Sequence, residues 1–256
     1  MIKENLLIEL GTEELPPKAL KSLALSFKDA IEAEVKAAGL GYESVEWFAA
    51  PRRLAVRVNQ VEEQQATKQV EKRGPAVQGA FDADGNPTKA ALGWARGNGI
   101  DVADATRLKT DKGEWLLHVA TVEGKSLSDL VEGFINKAIK QLPIPKPMRW
   151  GSGKEEFIRP VHTLIALYGD KVIPATVLGL TSSNLSQGHR FHHRGLVELS
   201  NANAYESELE QAHVVVDYQQ RQNLIVSQIK EICEKDGAVS VDDPDLLDEV
   251  TSLVEW

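Results

Sequence analysis

The stretch LLIELGTEELPP, residues 6–17, constrains the fold more than any other part of the chain. Leu6–Leu10 reads as a strand that stops at Gly11. Two carboxylates, Glu13 and Glu14, come next, then Pro16 and Pro17, and from there the period changes. Leu20, Leu23, Phe27, Ala30, Ile31 and Val35 recur every three or four residues, so they lie on one face of a helix. Prolines suit a helix's first turn, where no N–H partner is needed, and Gly39 and Gly41 suit its end. In VEWFAAPRRLAVRVNQV, Leu54, Val56 and Val58 alternate with Arg53, Ala55 and Arg57, the pattern of a half-buried strand. Strand, helix and strand in this order predict an α+β layer.

Further along, the polar segment Gln64–Pro87 reads as a long loop with a tight turn at Asp84-Gly85. A short helix is expected over Lys89–Arg96, and a hairpin over 108–122 turning at Asp111–Gly113. Ser126 is placed to cap a helix that carries Leu127, Val131, Phe134, Ile135 and Ala138 on one stripe. The sequence PIPKP, 143–147, favours extended backbone and predicts a linker. It would divide an α+β domain over 1–142 from a second over 148–256 that continues beyond Trp256. In the second, VHTLIALYG and KVIPATVLGL read as strands joined at Gly169-Asp170. Helices are expected over Tyr205–Ala212 and Gln219–Lys235, flanking a short strand VVVDY. The final DLLDEVTSLVEW has helical spacing and no C-cap.

Composition narrows the function classes. Of the 256 residues, 42% are hydrophobic, enough for a sizeable core. No apolar run approaches the roughly 18–20 residues of a membrane span, and the first residues lack a signal peptide's pattern. The single cysteine, Cys233, leaves no internal disulfide framework and no multi-cysteine zinc site, so a reducing cytoplasm is the default. Cys233 falls on an expected helix as a buried structural thiol. The net charge of −9 argues against a general nucleic-acid coat. The charge is uneven, however: residues 146–194 carry 7 basic and 3 acidic side chains, and residues 195–256 carry 3 and 14. Any contact with a polyanion is therefore local.

Two motifs invite chemistry. Glu13 and Glu14 could be a general base or a metal ligand. They could equally mark helix entry, with Thr12 near the N-cap and the acids facing the positive end of the helix dipole. The second motif is SQGHRFHHRG, 186–195, which holds three of the six histidines. It reads as a solvated loop, as an anion or RNA patch in which Arg190 and Arg194 meet phosphate and Phe191 stacks, or as a metal site through His189, His192 and His193. The absence of a nearby cysteine or interleaved carboxylate weighs against the metal. Arg52-Arg53, Lys72-Arg73 and the set Lys146, Arg149, Lys154, Arg159 are further basic clusters. Each suits a solvated face or a phosphate contact, and Trp150 beside Arg149 suits stacking or packing. The chain has no P-loop, no GxSxG elbow, no GxGxxG after a strand and no HExxH.

Taken in order, IELGTEELPP, APRRLAV, KRGP, MRWG, FIRPVHTLIALYGD and GHRF resemble the N-terminal part of the β subunit of the two-gene, α2β2 type of bacterial glycine–tRNA ligase. The resemblance runs from Ile8 to about Trp256. It implies that the class II active site, with its ATP and Mg, sits on the α chain. It also implies that this region holds no catalytic residue, metal or cofactor of its own, and that HD-type and anticodon-binding regions lie downstream. The segment after the proline linker resembles the B3/B4-type module of phenylalanine–tRNA ligase β chains. The partners implied are the α subunit, glycine tRNA and the downstream β domains, in the cytoplasm and off any membrane. Carried onto this sequence, the tRNA-contact candidates are Arg52, Arg53, Arg73, Arg149, Arg159, His189, Arg190 and Arg194. Glu13 and Glu14 become helix-entry or interface residues. The competing expectation is a pure assembly region, with tRNA contacts downstream.

Overall fold

The computed structural model describes residues 2–256. The chain forms two compact units: the residues through Gln65 together with Lys125–Trp256, and the insertion Ala66–Gly124. The first unit opens with β1 (Lys3–Thr12), α1 (Pro17–Ala38), β2 (Ser44–Ala50) and β3 (Arg53–Glu62). The insertion contributes β4 (Lys68–Ala76), α2 (Val77–Ala80), α3 (Lys89–Gly97), β5 (Thr106–Thr110) and β6 (Gly113–Val122). The first unit resumes with α4 (Leu127–Gln141), β7 (Met148–Arg149), β8 (Glu156–Phe157), β9 (Val161–Tyr168) and β10 (Lys171–Val172). It ends with β11 (Thr176–Val177), β12 (Leu180–Thr181), β13 (Leu185–Gln187), β14 (Leu196–Glu198), α5 (Tyr205–Gln211), α6 (Tyr218–Asp236) and α7 (Pro244–Thr251). The expected α+β class holds.

The first unit is built on an antiparallel sheet in the order β10-β9-β1-β3-β2. Leu6, Ile8 and Leu10 face one side of β1 and pack with the apolar stripes of α1 and α4. Every stripe residue expected on α1 is buried, and Gly39 ends that helix in the left-handed region. Ser126 Oγ accepts the Asp129 N–H and caps α4 as expected. Leu7 faces the other side, against Phe48, Ile165, Leu199, Tyr205, Leu209 and Val216. The sheet is thus covered on both faces. That corrects the expectation of a half-buried β3, since Arg53, Ala55 and Arg57 face a second core layer rather than water.

The division expected at 143–147 falls inside this unit. β9 comes from beyond the prolines and pairs with β1 along Leu6–Thr12, so the two halves share one sheet. Gly11 makes that pairing possible, because a Cβ there would lie 2.0 Å from Thr163 Oγ1 on β9. Other expectations change for local reasons. KVIPATVLGL breaks at Pro174 into β10 and a small β11–β12 ladder. VVVDY is not a strand: Val214–Val216 is buried irregular backbone, whose Val216 carbonyl accepts the Ala49 N–H and whose Val215 N–H donates to Glu255 O, while Asp217 caps α6 and Tyr218 opens it. α7 stops at Thr251, short of the chain's last residues. Cys233 lies on α6 as expected but is half-exposed, because nothing covers that face of the helix.

In the insertion, β4, β6 and β5 form a three-stranded sheet over a small core of Ala80, Ala91, Ala95, Val102 and Leu116. The turn at Asp84-Gly85, the helix at 89–97 and the 106–122 hairpin match the sequence reading. The strand β4 does not, because Lys68–Arg73 is exposed on both sides and carries no apolar alternation. Pairing with β6 supplies the order that its own side chains do not. Among the described residues no helix is long and apolar enough to cross a membrane.

Candidate functional site

Three of the sequence motifs meet at one end of the central sheet. β1 ends in GTEEL and its neighbour β3 starts at PRRL, while the segment that carries GHRF leaves β13 beside them. The meeting point is a buried polar network. Glu9 and Arg53 are each 1% exposed, and their Oε2 and Nη1 atoms lie 3.5 Å apart. Ser186 Oγ donates to Glu9 Oε1 at 2.7 Å, and Tyr205 Oη donates to Glu9 Oε2 at 2.5 Å. Arg53 also donates to Ser186 Oγ and to the Gln187 carbonyl. Arg52 reaches outward from the same turn. It donates to Gln187 Oε1, the Gly188 carbonyl and Glu255 Oε2, and Glu255 is itself buried. A carboxylate inside a core must be paired or neutral, and here Glu9 is paired. Burial works against charge on Arg53, but Glu9, Tyr205 and Glu255 outweigh it and hold the guanidinium above its ordinary range. Tyr205 is pushed well above the usual phenol value by burial and by Glu9.

The paired glutamates close the outer edge of this network. Glu13 accepts from Arg190 Nη2 at 2.6 Å and lies 2.9 Å from His162 Nε2. Arg190 also pairs with Glu14 at 3.5 Å. The bond from Arg190 dominates the environment of Glu13 and, despite some burial, holds its carboxyl below the usual range, with His162 adding to the effect. The acids therefore sit in the β1–α1 connection rather than in the helix's first turn. Pro17 holds N1, and Thr12 donates to the Glu13 carbonyl instead of capping the helix. Gly188 is needed where the GHRF segment folds back, since a Cβ there would lie 2.5 Å from the His193 ring.

The structure brings Glu13, Glu14, Arg52, Arg53, Arg159, His189 and Arg190 to this one end of the sheet. Arg159 is bound to the Glu14 and Ile158 carbonyls. Arg149 stands apart on β7, exposed, pairing with Glu156 on β8 at 2.7 Å. Arg194 is exposed and pairs with no carboxylate among the described residues. Arg73 belongs to the insertion, where its guanidinium lies 3.6 Å from the centre of the Trp115 ring. Arg52 and Arg53 are 7% and 1% exposed, so they serve as internal struts that a phosphate does not reach.

His189, half-buried, is a third strut. Its Nδ1 accepts the N–H groups of Phe191 and His192, each at 3.2 Å, and its ring lies 4.4 Å from that of His192. An acceptor at Nδ1 requires the neutral imidazole. Burial, helped by His192, Arg52 and His213, lowers the basicity of His189 against the pull of Glu255. The fold therefore favours the unprotonated ring. Its contribution is complete above the free imidazole value of about 6.5 and is lost as pH falls through the lower folded value. Protection of the Phe191 and His192 amides from hydrogen exchange is expected to drop as pH is lowered below the free imidazole value of about 6.5. His189→Gln, which keeps an acceptor and has no charge to gain, should flatten that profile. An unchanged wild-type profile would show that His189 is not the strut. Among the described residues, no three His, Cys, Asp or Glu side chains are grouped to hold a metal ion.

Sequence reasoning missed Glu9, Ser186, Tyr205 and Glu255. The signal for Glu9 was present: a lone carboxylate in phase with Leu7 inside the run LLIEL, on a strand whose two faces are both apolar.

Fold and site together define a mixed α/β module whose polar motifs hold its own chain together, with a few arginines left at the surface. Residues 6–256 match the family model described as the glycyl-tRNA synthetase beta subunit. Over its full length the chain is 59% identical to the glycine–tRNA ligase beta subunit of Alteromonas mediterranea, covering 37% of that protein. The matching proteins of Colwellia psychrerythraea and Pseudoalteromonas translucida are 55% and 53% identical, again over the whole chain and 37% of theirs. The chain belongs to the glycyl-tRNA synthetase beta subunit family.

Proposed function

We propose that this chain is the non-catalytic, tRNA-handling N-terminal part of a glycine–tRNA ligase β subunit. In this reading it supports the ATP-dependent attachment of glycine to its tRNA by the α chain of an α2β2 assembly in the cytoplasm. ATP and Mg belong to the α chain's reaction. The observation that carries the proposal is family membership together with the state of Glu13 and Glu14. The one acid pair placed like a catalytic dyad is tied to Arg190 and His162 as a latch between motifs. The tRNA contacts are assigned to Arg149 and Arg194 at the surface of the first unit and, on the insertion, to Arg73 on its Trp115 platform. Arg190 and Arg159 back them, and Arg52, Arg53 and His189 hold the scaffold. An arginine stacked on a half-buried ring, as Arg73 is on Trp115, keeps its planar fork oriented toward a phosphate.

One observation favours the assembly reading: Arg190 and Arg149 are both paired with carboxylates within the chain. A titration of fluorescent glycine tRNA at low and at moderate salt separates the two. Binding is expected to be weak and to fall steeply with salt. It should drop about threefold to tenfold in Arg149→Ala and Arg194→Ala, about 1 kcal/mol each. If no binding occurs even at low salt, the tRNA-handling reading fails and the assembly reading stands.

A further inference from the structure

α6 is 19 residues long, yet only Tyr218 and Arg221, in its first turn, are buried. Past them the helix carries Ile225, Ile229 and Ile232 at spacings of four and three, a stripe that a soluble helix turns toward a core. Here Ile229 is 42% exposed and Ile232 58%. The loop that follows leaves Val239 and Val241 about nine-tenths exposed, at 91% and 90%, and Leu246 on α7 is 57% exposed. Ile225, Ile229, Val241, Leu246, Leu247 and Val250 line a groove of about 160 Å³ between α6 and α7. A contiguous apolar surface of this kind is an interaction site. A helix whose fully buried residues all lie in its first turn also needs packing along its length to stay formed.

The rim identifies the occupant. Between Leu224 and Val250 there are eight carboxylates against two lysines. Phosphate is repelled, so the occupant is not RNA. A second copy seated on the same groove would bring acid against acid. What fits is a protein helix with an apolar ridge and basic flanks. The curated relatives supply a source, since the chain matches the N-terminal 37% of them and the remaining polypeptide follows the position of Trp256. The groove is built from the last two helices, so whatever follows is tethered close to it and meets it at high effective concentration.

We infer that the α6–α7 groove is the docking site for an amphipathic, basic-flanked helix from the polypeptide that follows Trp256 in the full-length protein. The inference rests on family membership and not on tRNA handling, so the two fail separately. Hydrogen exchange in the full-length polypeptide alone, compared with the 256-residue chain, tests it. The amides of 225–232 and 246–250 are expected to exchange at least tenfold more slowly in the full-length polypeptide. Cys233, one turn beyond Ile229 and half-exposed, should be alkylated correspondingly more slowly, read on its own peptide. Full-length Ile229→Glu should restore fast exchange at 246–250, and Ile229→Leu should not. Equal exchange in the two chains would overturn the inference. So would protection that appears only when the α chain is added, or only as the 256-residue chain is concentrated.

Discussion

Replacing Arg53 by leucine is expected to lower the stability of the first unit by about 3–5 kcal/mol, the loss typical when one partner of a buried ion pair is removed. Arg53 and Glu9 are each 1% exposed, so water cannot take the place of the missing cation. Glu9 would keep Ser186 and Tyr205 as donors but lose its countercharge inside the core. The segment leading into GHRF is loosened as well, since Arg53 is the donor to the Gln187 carbonyl, while Arg52 and Arg190 still hold it. The double variant Glu9→Met, Arg53→Leu should recover part of the loss and not all of it, because it removes the stranded Glu9 carboxylate but leaves Tyr205, Ser186 and the Gln187 carbonyl without these partners. Urea unfolding of the two single variants and the double variant closes the cycle. A loss below about 1 kcal/mol in Arg53→Leu would show that the network contributes little.

The same pair explains what the sequence could and could not reveal. Periodicity exposed α1, α4, β1 and β9, because each turns a regular apolar set toward a core. It misread β3, because alternation shows that two faces differ and not that one of them is wet. Arg53, Ala55 and Arg57 look like a solvent face until α5 and the 214–216 segment cover them. β4 was invisible for the opposite reason: its order comes from pairing with β6, and its own side chains stay in water. The domain division at the prolines failed to anticipate that β1 needs a partner on each edge and finds one of them about 150 residues later. The motifs were legible as motifs, but their work is mutual. Gly11 admits Thr163, Gly188 admits His193, and Arg190 ties GHRF to GTEEL. Those partners lie far apart in the chain, and no local pattern encodes such distances.

Arg221→Ala carries the second large effect, about 3 kcal/mol, and it should act on one end of the first unit rather than on the sheet. Arg221 is 2% exposed and binds no carboxylate. Its guanidinium donates instead to three carbonyls on three separate segments: Thr251 at the end of α7, Ala49 on β2, and Val215. Burial draws its pKa down to about 10, so it remains charged at neutral pH. Truncation leaves three carbonyls without a donor in a dry site, and the Tyr218 and Gln222 contacts with α7 and the backbone bonds of Val215 and Val216 are left to join α6, α7 and the edge of the sheet there. Lysine cannot replace it, because one ammonium on a flexible stem does not span three acceptors fixed around a planar fork. Arg221→Lys should accordingly regain no more than about half of the loss. Hydrogen exchange should show faster opening across 214–256 with β1, β3 and β9 still protected, since the α1 and α4 layer is untouched. Loss of protection throughout the sheet would mean that Arg221 supports the whole unit. Unchanged protection at 214–256 would mean that α6 and α7 are held by contacts other than this one side chain.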